Sequence, residues 1–82
     1  MFEYHLHGLQ DRDGHYTYTA TTHDFIQVCA DIAKCYSPGI LGEFVSELFT
    51  EHSDKLDFLR VTDWNFDFDW GTEEKIQLRK VA

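Results

Sequence analysis

An α+β fold of order ββααββ is what this sequence predicts: an antiparallel sheet of about four strands with two helices packed on one face. Two segments near the start and two near the end alternate apolar and polar residues, the period of a half-buried strand. Between them, apolar residues recur at helical spacing. With 82 residues and no linker, repeat or low-complexity tract, residues 1–82 make one compact domain.

Phe2, Tyr4 and Leu6 share one face of the first strand, and Glu3, His5 and His7 the other. The run HYTYTA alternates again through Tyr16, Tyr18 and Ala20. A three-residue loop, Arg12-Asp13-Gly14, places glycine where a left-handed residue is needed, and it opposes Leu6 to Ala20 and Gly8 to Tyr18. In TTHDF, Thr21 can cap a helix and Asp24 completes the capping-box spacing. Phe25, Cys29, Ile32 and Tyr36 then recur helically, with Val28 and Ala33 widening the stripe. SPG stops that helix and starts another, with Ser37 as cap and Pro38 at the first helical position. Ile40, Leu41, Phe44, Val45, Leu48 and Phe49 form its buried face, and its end is expected near His52 and Ser53.

Residues 54–61, DKLDFLRV, fit neither period and read equally as a helical turn or a strand entry. The alternation changes phase near Thr62 and Asp63, which predicts a bulge or bend. From there Trp64, Phe66, Phe68 and Trp70 face one way, and Asp63, Asn65, Asp67 and Asp69 the other. A loop over Gly71 to Glu73 brings Phe68 opposite Ile76 and Phe66 opposite Leu78. The same register sets Asp69 against Lys75, Asp67 against Gln77 and Asn65 against Arg79. Both faces match at once, which selects this register and predicts weak cross-strand ion pairs on the wet face.

Composition bounds the function. An apolar fraction of 43%, with two Trp, four Tyr and seven Phe, suffices for one core without staples. Cys29 and Cys35, six apart on one helix, point to different faces, so a disulfide between them is not expected, and Cys29 reads as a small buried hydrophobe. MFEYHLHGLQ has neither the basic start nor the apolar run of a signal peptide, and no apolar stretch approaches the ~20 residues of a membrane span. A cytoplasmic protein is the expectation. The net charge of −8 opposes direct nucleic-acid binding and anionic membranes. That charge is localised. Residues 43–74 hold ten acids against Lys55 and Arg60, whereas the remaining residues hold five acids and five bases.

The stretch DWNFDFDWGTEE, from Asp63 to Glu74, has the carboxylate spacing of an EF-hand loop, but Phe68 occupies the sixth position, where glycine makes the sharp turn. A strand buries its four aromatics; a curled loop exposes them. His5 and His7 share a strand face, with His15, Glu3 and Asp11 as further candidates for a transition-metal set, although solvent-facing histidines on a hairpin are commoner. No phosphate loop, nucleophile motif or paired catalytic carboxylates are present, so neither an enzyme nor a cofactor is expected.

Glu43, Glu47 and Glu51 lie four apart on one exposed helix stripe, and Asp63, Asp67 and Asp69 on one strand face. Successive charges stand ~6 Å apart along the helix and about 6.6–6.8 Å along the strand. Such rows suit a basic protein partner, in particular a groove that binds phosphates. The residues expected to touch it are Glu43, Glu47, Glu51, Asp54, Asp63, Asp67, Asp69, Glu73 and Glu74. In size, fold class and acidic rows the chain resembles the small inhibitors carried by phages and mobile elements, notably the anti-CRISPR proteins. That resemblance, one of kind and not of motif, implies an inhibitor occupying a nucleic-acid site on a CRISPR effector. The competing reading is a protein-interaction module, such as an antitoxin, immunity or adaptor protein, with an apolar or mixed interface. Mimicry requires the carboxylates to form one exterior patch.

Overall fold

The alternating segments are strands and the helical-period segments are helices. In chain order they are β1 (Phe2–Asp11), β2 (Gly14–Thr22), α1 (Phe25–Cys35), α2 (Pro38–Glu51), β3 (Trp64–Asp69) and β4 (Lys75–Lys80). The computed structural model describes residues 1–51, 63–71 and 74–81, with Asp11 in its backbone alone. The ambiguous segment 54–61 and the expected helix end near His52 lie outside the described residues.

All neighbouring strands are antiparallel, in the order β2-β1-β4-β3. The helices carry the chain from one sheet edge, β2, to the other, β3, and β4 returns between β3 and β1. One face of the sheet is apolar: Phe2, Tyr4, Leu6, Leu9, Trp64, Phe66, Phe68, Ile76 and Leu78 join Val28 and Ile32 of α1 and Phe44 and Leu48 of α2 in a single core. Lys80 falls on this face too; its stem is buried at the sheet's end and its ammonium lies 5.6 Å from the Phe2 ring centroid, a cation–π distance.

The β3–β4 register is the expected one, with Phe68 opposite Ile76, Phe66 opposite Leu78, Asp69 opposite Lys75, Asp67 opposite Gln77 and Asn65 opposite Arg79. The β1–β2 register differs from the expected one. Leu6 pairs with Tyr18 and Tyr4 with Ala20, not Leu6 with Ala20 and Gly8 with Tyr18. Two features shift it. Asp11 pairs with Gly14, so the turn has two residues and not the expected three, and the register slips again between Leu6 and Leu9 at a bulge that contains Gly8. Gly8 adopts φ 79, which a side chain resists, and the extra residue returns Leu9 to the core side. Gly14 takes positive φ, as the turn reading expects. Before the bulge the true and expected registers differ by two, so Phe2–Leu6 and β2 keep their predicted faces; beyond it β1 is flipped, with Leu9 in the core.

Thr21 does not cap α1. It pairs with Glu3 as part of β2, and the cap is Asp24, whose carboxylate accepts the Ile26 N–H at 2.9 Å. Thr22 supports the cap by accepting the Asp24 N–H at 3.1 Å. α2 starts at Pro38 as expected, with the Ser37 carbonyl accepting the Ile40 N–H. Its apolar stripe is buried or half-buried throughout; on α1, Cys29 is half-buried and Ala33 exposed, so that stripe is narrower than predicted. The phase change before β3 is a bend: Asp63 has φ 62, a conformation that Asp tolerates better than most residues.

Two tyrosines tie α1 to the sheet. The Tyr4 hydroxyl donates to the Asp31 carboxylate, and the Tyr36 hydroxyl donates to the His7 carbonyl at the bulge, 2.7 Å away. Burial, above all, raises both phenols beyond their ordinary value of 10.0; Asp31 adds to it for Tyr4, and Cys35 and Glu74 for Tyr36. The sign follows from proton linkage. Above that ordinary value the unfolded chain releases these protons while the folded one holds them, so stability is full below about pH 10 and falls as pH rises further. Chemical denaturation at several alkaline pH values should show this decline, and Tyr36→Phe should flatten it.

Candidate functional site

Helical geometry sets Glu43, Glu47 and Glu51 beside the buried Phe44 and Leu48, and all three carboxylates are exposed. Strand geometry does the same on β3: Asp67 and Asp69 alternate with buried Phe66 and Phe68 and are exposed on the open face of the sheet, away from the helices. Asp63 is exposed at the bend, its N–H donating to the Lys80 carbonyl at 2.9 Å. Glu74 is exposed across the β3–β4 turn, its carbonyl accepting from Trp70 N–H. Asp54 and Glu73 lie outside the described residues.

The one continuous patch expected from the sequence is divided. The helix row belongs to the helical layer and the strand row to the opposite face of the sheet. The two rows nonetheless flank the same side of the molecule. Phe44 packs edge-on against Phe66 and Phe68, with ring centroids 5.5 and 6.0 Å apart, so α2 lies over β3, an edge strand. The other edge, β2, contains no Asp, Glu, Lys or Arg. Charge is therefore polarised across the sheet, from an acidic α2/β3 margin to an uncharged β2 margin.

Among the described residues none of these carboxylates forms an ion pair with Lys or Arg. The cross-strand pair expected between Asp69 and Lys75 is absent even though the two residues face each other. The Asp69 carboxylate instead accepts the Gly71 N–H at 3.1 Å. This short local bond orders fewer rotamers than a stretched lysine would.

Further along the open face is an arrangement that depends on β4 lying beside β1, a pairing no local pattern reveals. His7 is held at both ring nitrogens, by Gln77 at 2.7 Å and by Thr17 at 3.1 Å. His5 meets Thr19 at 3.0 Å and lies 3.7 Å from Glu3. The His5 and His7 rings are neighbours at 6.2 Å, but Thr and Gln occupy the positions that a metal set would fill. Among the described residues no group of three or more His, Cys, Asp or Glu is placed to hold a metal ion. Asn65, Asp67 and Asp69 lie on an extended strand, which removes the curled geometry of a calcium loop.

A cavity of about 380 Å³ opens at the end of the sheet, lined by Leu9, Cys35, Tyr36, Ile40, Trp70 and Glu74 among others. Tyr36 and Trp70 form its perpendicular aromatic wall, 5.1 Å between centroids. Desolvation raises the thiols of both Cys29 and Cys35, the reverse of what a reactive thiolate needs, and both are free. Among the described residues no helix is long and apolar enough to cross a membrane. No protein-family model, curated protein or solved structure matches the chain.

Proposed function

We propose that this chain is a non-catalytic binding protein whose acidic α2/β3 margin docks on a basic, nucleic-acid-binding surface of a protein partner, inhibiting it in the manner the anti-CRISPR resemblance implies. One observation carries this reading. The two elements bearing exposed acids pack directly on each other, at the far side of the sheet from an uncharged edge. Glu43, Glu47 and Glu51 present one face of the margin and Asp67 and Asp69 the other, with Asp63 at the bend before β3, and Glu74, Asp54 and Glu73 as further candidates within the acidic segment. A wedge acidic on both faces suits a cleft with basic walls better than it suits a flat surface. Docking releases a groove's counterions as a nucleic acid would, and opposite charges accelerate encounter.

Displacement of a labelled DNA or RNA from candidate effector complexes, followed by fluorescence anisotropy, tests this. The chain should displace nucleic acid competitively. Its affinity should fall steeply as salt rises, because the screening length shrinks from about 10 Å at 0.1 M to about 3 Å at 1 M. Binding that ignores both salt and nucleic acid would support the adaptor-type module instead.

A further inference from the structure

The two sheet edges are built differently. β3 is six residues long and carries Asp67 and Asp69, with Asp63 just before it, the kind of charge that keeps an edge from pairing with other chains. β2 is nine residues long, GHYTYTATT, and has no charged residue apart from the titratable His15, no proline and no described element on its outer side. Tyrosine and threonine, both strong strand formers, alternate along it. Tyr16 and Tyr18, on the helix-bearing side, remain 46% and 42% exposed. Thr17, Thr19 and Thr21 line the open side.

We infer that β2 pairs antiparallel with β2 of a second copy of this chain, joining two four-stranded sheets into one of eight strands. Charge selects this occupant. The chain carries a net charge of −8, and the described acids of its acidic segment lie on α2, on β3 and beside β3, so two copies repel except where an uncharged surface faces an uncharged surface, and β2 is that surface. Register selects the geometry. The antiparallel alignment that uses all of Gly14–Thr22 is centred on Tyr18, so Tyr18 faces its own symmetry mate, Tyr16 faces Ala20 and Thr17 faces Thr19. That alignment sets a large ring beside a small side chain and threonine beside threonine, both favourable cross-strand neighbours. It also turns the two acidic margins outward, to opposite ends of the dimer. Two linked sites could then engage a partner with two basic clefts far more tightly than one.

Sedimentation equilibrium across a concentration series tests the pairing without reference to any partner. The chain should reach twice its 9.7 kDa mass at concentrations above the micromolar range. A chain that stays at 9.7 kDa throughout overturns the inference. Y18K and Y18E should each be monomeric with an unchanged circular dichroism spectrum, because like charges then meet at the twofold axis. Mixing the two should restore the dimer, since opposite charges meet there. Dimers that persist in both single variants, or a mixture that stays monomeric, place the contact elsewhere and overturn it. Amide exchange on the wild type is the check that needs no variant. Protection along Thr17–Thr21 should rise with concentration, and protection independent of concentration contradicts the pairing.

Discussion

Trp64→Ala should cost about 3–5 kcal/mol, the usual range for removing a large aromatic side chain from a packed core. Trp64 is 8% exposed, opens β3, stands opposite Lys80 and packs edge-on to Phe2 with centroids 6.4 Å apart. Its ring plugs the end of the core where β3, β4 and β1 converge. A domain of this size holds only about 4–12 kcal/mol in total, so the variant should be largely unfolded under mild denaturant and its Tm should fall by tens of degrees. Urea titration by circular dichroism reads this as a lower midpoint at unchanged slope. A loss below about 1 kcal/mol would mean that the aromatics of β3 face solvent and its aspartates face the helices.

Phe44→Ala should be as damaging, again about 3–5 kcal/mol, and for a reason tied to function. Phe44 is fully buried on α2 and meets Phe66 and Phe68 edge-to-face. Each such pair is worth about 0.5–1.5 kcal/mol beyond the area it buries, so both would be lost with one substitution. These contacts also hold the helix acid row against the strand that carries the other row. Phe44→Leu keeps most of the volume but still loses both ring pairs, so it should cost less than Phe44→Ala without being neutral. Urea midpoints of the two variants measured side by side check the contrast; equal losses would mean that the ring contacts, and not the filled volume, carry the whole effect at this position.

How far the fold could be read from the residues depended on whether two constraints agreed locally. In the last hairpin, aromatic residues and charges each demanded the same register, and β3 and β4 adopt it. In the first hairpin, Gly8 continued the alternation by position, and a glycine carries no side chain to betray a bulge; the bulge and a turn one residue shorter than expected together put the register two residues away. At the start of α1 the capping-box spacing points to Thr21 as cap and Asp24 as its partner; strand pairing claims Thr21, and Asp24 itself caps the helix. The order β2-β1-β4-β3 is set by long-range packing that no short window encodes. The candidate site divides along the same line. Exposure of Glu43, Glu47, Asp67 and Asp69 follows from period alone. Their shared margin follows from β3 being an edge with α2 above it, which is topology.

If the acidic α2/β3 margin binds a basic partner, as proposed, reversing the charge of its two acid rows should abolish that binding. Affinity for a nucleic-acid-binding effector that the chain inhibits would be measured for the wild type, for Glu43→Lys/Glu47→Lys/Glu51→Lys and for Asp63→Lys/Asp67→Lys/Asp69→Lys, with folding verified by circular dichroism. All six positions are exposed, so the fold should survive each triple change, the strand variant less comfortably because Lys is strained at the φ 62 of Asp63 and Asp69 loses its bond from Gly71 N–H. At least one reversed row should lose binding by about a hundredfold or more, equivalent to about 2.7 kcal/mol. Full affinity in both triple variants would contradict it.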